Sequence, residues 1–385
     1  MFRGLTMVLM VFVNDFWTVW NVPHFLEHFA TWEDGMGLSD LVYPMFLFAV
    51  GMSIPYAIDR RYEKDLSTES TLGHIFSRTF ALIVMGTFIC NQESREMAGC
   101  RWLWILLFLA GFFLVWNQYK PDFRPAKWLK GAGAVLLVVL AAAYRTPDGA
   151  YFEGLWWGIL GQIGWAYMFC ALAYLLCRNR QWPLALVWLL LCLVNLSVVP
   201  MRGGESLIGD NFPADVAAAL HLGDGHIGIM ALGGMLLTLG ERRLAKGLPS
   251  RDLSSASRAG IGFAAAAVLA LLGFAAHQGW IISKNLGSLP WCLYVSSISV
   301  ALYTLLRLLE RKGWTGWFKP LQPAGTATLT VYMVPYLFVA GWVLLLPSVP
   351  AWLCGWAGVA KCAVYTGVVL LIAWGLTKIG IKLKI

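Results

Sequence analysis

Between residues 14 and 40 the chain collects Asn14, Asp15, His24, Glu27, His28, Glu33, Asp34 and Asp40, the densest set of proton-handling and hydrogen-bonding side chains in the sequence. A neutral imidazole near pH 7 can take a proton from an attacking amine or hydroxyl, and a nearby carboxylate can fix the tautomer that does so. His28, with Trp32 shortly after it and Asp40 beyond, has that pattern, and spacing does not separate it from His24. The amide of Asn14, at the other rim, can donate a hydrogen bond to a carbonyl oxygen that gains charge in acyl transfer. Plainer uses exist for the same groups. An interfacial histidine can bond Glu27 or Asp40, Asn14 can cap a frayed helix end, and Asp40, which opens the segment SDLVYPMF, can cap a helix N-terminus.

The elements that must position these residues are apolar. Of 385 residues, 59% are hydrophobic and only 13% charged, with 20 Trp and a mean hydropathy of +0.66. No soluble domain with one core has that composition, so an all-α polytopic membrane bundle is expected. Apolar runs of spanning length predict about twelve transmembrane helices near 4–20, 39–57, 75–92, 101–117, 130–145, 156–177, 183–200, 225–240, 259–278, 289–308, 324–346 and 358–379, forming one domain over 1–385. The first run carries Asn14 and Asp15 and no small-residue cleavage pattern, so it is expected to insert uncleaved.

Lys and Arg are retained on the cytoplasmic side during insertion. With both termini inside, all 29 Lys and Arg fall inside except Arg95, Arg101, Arg145, Arg202, Lys284 and Lys361. The net charge of +8 then reads as topology, not as nucleic-acid binding. Five of the six histidines, His24, His28, His221, His226 and His277, fall toward the outer face, as do Asp40, Asp224, Lys284 and Asn285. Gln162 enters from that face in a run whose Gly158, Gly161 and Gly164 allow close helix approach. Lys284, Asn285, His226 and His277 are candidate substrate-binding groups there with Gln162, His24 and Trp32, each with a plain interfacial alternative. The eight Cys show no metal-ligand pattern, and no metal is expected; Cys90 and Cys100 bracket one loop, where two free thiols are the commoner outcome.

Four segments resemble the heparan-α-glucosaminide N-acetyltransferase-like membrane acyltransferases and their bacterial relatives: RGLTMVLMVFVN at 3–14, HFATW with SDLVYPMFLFAVG at 28–51, WGILGQIGWAY at 157–167, and ISKNL at 282–286 with GTATLTVYMVPYL at 325–337. The resemblance implies transfer of an acetyl group from cytosolic acetyl-CoA to an amino sugar or glycan across the membrane, here a bacterial cytoplasmic membrane. It implies His28, Asn14 and Asp40 as the catalytic set, and a homodimer. One residue is inserted between His28 and Trp32 relative to the family pattern, which leaves His24 open as the counterpart. CoA is polyanionic, so its phosphates are expected at Arg78, Arg242 or Arg243, at the inner ends of spans. The rival reading is a secondary transporter for sugars or amino sugars. Against it stand the lack of an internal repeat and the gathering of polar groups at one face instead of the midplane.

Overall fold

The computed structural model describes residues 1–177, 180–247, 255–345 and 349–385. Within them the chain is helical, with isolated β-bridges and no strand. The helices are α1 (Phe2–Asn14), α2 (Leu38–Tyr62), α3 (Thr68–Ser94), α4 (Arg101–Trp116), α5 (Ala126–Ala143), α6 (Ile159–Cys177), α7 (Gln181–Val198), α8 (Phe212–Ala219), α9 (His226–Gly247), α10 (Ser255–His277), α11 (Leu289–Arg311), α12 (Gln322–Thr326), α13 (Thr328–Leu345) and α14 (Gly355–Lys378). Among the described residues nine helices are long and apolar enough to cross a membrane. The chain is an all-helical, multi-pass membrane protein.

Each of the twelve expected runs overlaps a helix, but four differ from a plain span. The run 324–346 is split at Ala327 between α12 and α13, and its residue 346 lies outside the described residues. Helix α1 stops at Asn14 after 13 residues, where residues 4–20 were expected to continue, and a 3-10 turn, Phe16–Thr18, follows. The break has a local cause. Thr18 Oγ1 donates to the Asp15 carbonyl at 2.7 Å, giving the backbone a side-chain alternative to the helical ladder. Helix α4 has 16 residues. Helix α9 is 22 residues long but carries Glu241, Arg242 and Arg243 in its later turns.

The chain divides into two compact units, residues 1–6, 24–79 and 162–319, and residues 7–23, 80–161 and 320–385. In the first, α2 packs on α9 and α11, α10 on α11, and α7 on α9. The α2–α9 seam is backbone against backbone: a Cβ added to Gly51 would lie 1.8 Å from the Ala231 carbonyl oxygen, and one added to Gly234 would lie 2.0 Å from that of Phe48. Polar side chains stitch the same seam, with Thr238 Oγ1 donating to the Met52 carbonyl at 3.0 Å and Arg242 pairing with Asp59 at 2.5 Å.

In the second unit α4 packs on α5 and α13, and α13 on α14. Phe88, Trp104, Phe108, Phe112 and Phe152 form an aromatic cluster there, and Trp104 Nε1 donates to the Leu140 carbonyl at 3.1 Å. Gly86 and Gly158 supply the close approach expected of small residues, the first against the backbone of Gly161 and the second against Cys90. Cys90 is buried, Cys100 exposed, and both are free thiols.

The seam yields a direct test. Gly51→Leu overpacks a backbone contact and is expected to destabilise by about 1–3 kcal/mol or more. Gly240→Ala in the same helix pair meets no atom within 4 Å and should be neutral or stabilising. Melting temperature and peak shape of the purified full chain in detergent read both.

Candidate active site

The loop before α2 is held against that helix by a close backbone approach. Gly37 is the extended residue preceding α2, and a Cβ there would lie 2.0 Å from the Glu27 carbonyl oxygen. Only glycine lets the stretch 25–29, which leaves the 3-10 turn His24–Leu26, lie so near the helix start. Ser39 Oγ donates to the Leu26 carbonyl at 2.6 Å and holds it there. The result places His28 directly over the first turn of α2.

Asp40, the third residue of that turn, has a side chain only 2% exposed. Its Oδ2 accepts from the backbone N–H groups of Gly37 and Phe29, both at 3.1 Å, and its Oδ1 lies 2.6 Å from His28 Nδ1. An ionised carboxylate accepts only, so the shared proton sits on Nδ1 and leaves Nε2 as the ring's basic lone pair. The His28 side chain is 53% exposed, so that lone pair is reachable. Proline at 44 withdraws the N–H that would bond the Asp40 carbonyl. Trp291 Nε1, from α11, donates to it instead at 3.2 Å.

Lys284 comes from the loop between α10 and α11. Its Nζ lies 3.1 Å from His28 Nδ1, 3.4 Å from Nε2 and 3.9 Å from Asp40 Oδ1. Burial pushes the Lys284 ammonium below the ordinary lysine range, and the Asp40 carboxylate opposes this only in part. The loop that carries it is a tight turn: Gly287 N–H donates to the Lys284 carbonyl at 2.9 Å, Ser288 N–H to the Ser283 carbonyl at 3.1 Å, and Gly287 adopts φ +60°. Two contacts clamp this turn to the His28 loop, Ser283 Oγ to the Thr31 carbonyl at 2.7 Å and Gly35 N–H to the Ile282 carbonyl at 3.0 Å.

The other expected residues sort around this cluster. Asn285 Nδ2 donates to the Phe29 carbonyl at 3.3 Å, joining the two loops. His277 bonds Asp34 at 2.8 Å, and Arg202 pairs with the same carboxylate at 2.8 Å. His24 sits 2.6 Å from Glu33 and stacks on Phe29, so it has a carboxylate of its own, a more exposed one than Asp40. Trp32 is exposed. His226 lies under the Lys284 turn, with its ring against Gly223 and Gly287 and its Nδ1 buried without a hydrogen-bond partner among the described residues. Gln162 accepts from the Tyr43 hydroxyl. Asn14, the last residue of α1, is exposed and belongs to the second unit.

Of the three arginines expected near CoA phosphates, Arg242 is committed to Asp59 and lies 4.2 Å above the Tyr56 ring, while Arg243 donates to Gln181 at 3.3 Å. Arg78 lies 4.6 Å from the Tyr167 ring centre, and its Nε is buried with no hydrogen-bond partner among the described residues.

Sequence reasoning missed Asn195 and Trp291. Asn195, fully buried in α7, donates to the carbonyls of Gly287 at 2.9 Å and Asp224 at 2.8 Å, and so fixes the Lys284 turn from below. Its signal was present: a lone amide inside the apolar run LCLVNLSVV.

The first unit therefore carries a histidine held by a buried carboxylate and flanked by a lysine, in a multi-pass membrane protein. No family model matches the chain. It is 37% identical over 96 residues to heparan-alpha-glucosaminide N-acetyltransferase of Mus musculus, and 36% identical over 96 residues to the Homo sapiens protein of that name. Each match covers 24% of this chain and only 13% of the relative's length.

The Asp34 node generates a pH prediction. Burial alone would raise the Asp34 carboxyl, but the Ile282 N–H, His277 and Arg202 outweigh it and hold it below the ordinary carboxylate range. A depressed carboxyl stabilises the fold above its unfolded value, about 3.9, and that contribution is lost as pH falls through the folded value. Asp34→Asn should therefore melt a few degrees below wild type at neutral pH, and the gap should close as the pH falls below the unfolded value.

Proposed function

We propose that this chain is a membrane acyltransferase that moves an acetyl group from acetyl-CoA to an amino sugar or glycan on the opposite side of a bacterial cytoplasmic membrane. The observation that carries the reading is the His28–Asp40 pair: a buried, fully bonded carboxylate holding an exposed imidazole in the tautomer that suits a general base. The partial likeness to a membrane acetyltransferase supports the same chemistry.

In this mechanism the acceptor amine or hydroxyl attacks the thioester carbonyl carbon while His28 Nε2 takes the acceptor's proton. Asp40 keeps the proton on Nδ1 and offsets the charge of the imidazolium. The tetrahedral oxyanion then collapses, the carbon–sulfur bond breaks, and the CoA thiolate leaves with the proton that His28 carried. Lys284, 3.4 Å from Nε2, is placed to bind an anionic oxygen or orient the acceptor beside the base. The oxyanion role expected of Asn14 rests on the sequence resemblance alone. Transfer through an acetylated His28 is the second route the same geometry serves.

Within the first unit, Asp40 and Asp59 stand at the two ends of α2, about 28 Å apart at 1.5 Å per residue. Arg242 marks the Asp59 end. Among the expected phosphate partners, Arg78 is the best fitted, because it has a buried donor still unmet.

The test is transfer of radiolabel from acetyl-CoA to glucosamine by the purified full chain. His28→Ala is expected to lose about 10²–10⁴-fold in rate. His24→Ala should stay within a few-fold of wild type, because its carboxylate partner is Glu33. Absence of transfer by wild type, together with saturable glucosamine uptake by the same protein in liposomes, would replace this reading with a transporter.

A further inference from the structure

A second polar cluster lies wholly within the other unit, where the acyl-transfer reading makes no use of it. Lys361, on α14, places Nζ 2.6 Å from Asp15 Oδ2 and 2.7 Å from Thr18 Oγ1. Asp15 and Thr18 are buried. An ion pair taken out of water contributes little net stability, since desolvation consumes most of the attraction. Ionisable groups at membrane depth are rare for that reason, and they mark binding sites more often than packing.

The pair faces a cavity of about 340 Å³, within the range of small-molecule sites. The remaining lining is aromatic and aliphatic: Trp17, Leu337, Phe338, Trp342, Leu345 and Tyr365. Trp17 and Trp342 meet edge to face, 5.7 Å between ring centres, and the Lys361 ammonium lies 5.2 Å from the Tyr365 ring centre. Several of these side chains are open to the surroundings, Leu345 at 74% and Trp17 at 53%. They are apolar and sit on or beside α13, a helix long and apolar enough to cross a membrane, and so offer an apolar mouth suited to an acyl chain.

The hydrogen-bond inventory narrows the occupant. Thr18 gives its hydroxyl proton to the Asp15 carbonyl, and two of the three ammonium N–H groups are used by Asp15 and Thr18. The Cys362 thiol also bonds Asp15, which leaves one ammonium N–H and the unused carboxylate lone pairs of a pair whose charges cancel. That set suits a group which both donates and accepts and carries no charge. A phosphate or an ammonium would leave one member of the pair opposed.

We propose that this cavity is a site for an uncharged, hydroxyl-bearing membrane lipid of the acylglycerol class, its hydroxyls on Asp15 and Lys361 and its chain against Trp17, Phe338 and Trp342. The site is independent of the chemistry at His28, and its test does not read acetyl transfer.

The full chain is reconstituted in nanodiscs with a monoacylglycerol carrying a diazirine in its acyl chain, irradiated, and the adducts mapped by peptide mass spectrometry. Saturable labelling at 15–18, 337–345 and Tyr365 is expected, displaced by unlabelled monoolein but not by phosphatidylglycerol. A Cβ at Gly341 meets no atom within 4 Å, so Gly341→Leu fills the cavity without disturbing α13. It should cut the labelling about tenfold, as should the charge-neutral pair Asp15→Asn with Lys361→Met, which removes hydrogen bonds to charged groups. Labelling spread over the lipid-facing surface, labelling unchanged by both variants, or equal displacement by phosphatidylglycerol would overturn the proposal.

Discussion

A carboxylate buried at the start of a membrane helix is costly unless every lone pair facing the protein is used. Asp40 meets that demand with two backbone N–H groups on one oxygen and the His28 ring on the other. Most of the local architecture follows from it. Gly37 must lack a side chain so that the preceding loop can approach, the loop must turn so that the Phe29 N–H points at the carboxylate, and Lys284 must arrive from a distant loop to balance the charge. Removing any one of these leaves a buried charge partly unbonded, which costs more than the lost contact itself.

The same logic orders the cations that break the expected charge asymmetry of the sequence. Of those assigned outside, Lys284, Arg202, Arg95 and Lys361 are bound to Asp40, Asp34, Glu153 and Asp15 respectively. Arg101 and Arg145 donate to backbone carbonyls, those of Gln92 and of Ala142 and Tyr144. Each exception to the topology rule is thus held by a carboxylate or by backbone carbonyls.

The helices were legible in the sequence because hydropathy acts over lengths of about 20 residues, which a reader can see. The end of α1 was legible only in part: Thr18 lies within reach of Asp15 in the sequence, but nothing local records that Lys361, 346 residues away, joins them. Asp40 was legible as a helix cap, since capping is local. The difference between His24 and His28 was not, because both have carboxylates at plausible spacing, and only the fold shows that Asp40 is enclosed and Glu33 open. Asn195 and Trp291 serve the site from other helices, and no spacing within a segment records that. The carbonyl that Pro44 leaves unbonded at Asp40 went unread, and only the fold names the indole that takes it.

That indole bond ties two distances together. Trp291 stands seven residues after Lys284, at the head of α11, and it grips the backbone of the residue whose side chain Lys284 approaches. Sliding α11 along α2 by a single turn, about 5.4 Å, would strip the Asp40 carbonyl of its donor and carry the lysine off the imidazole in one movement. The ammonium is therefore gauged against its own target, from the main chain on one side and the carboxylate on the other. Helix α11 works as a vernier for the separation of imidazole and ammonium, and its zero mark is the N–H that proline withheld.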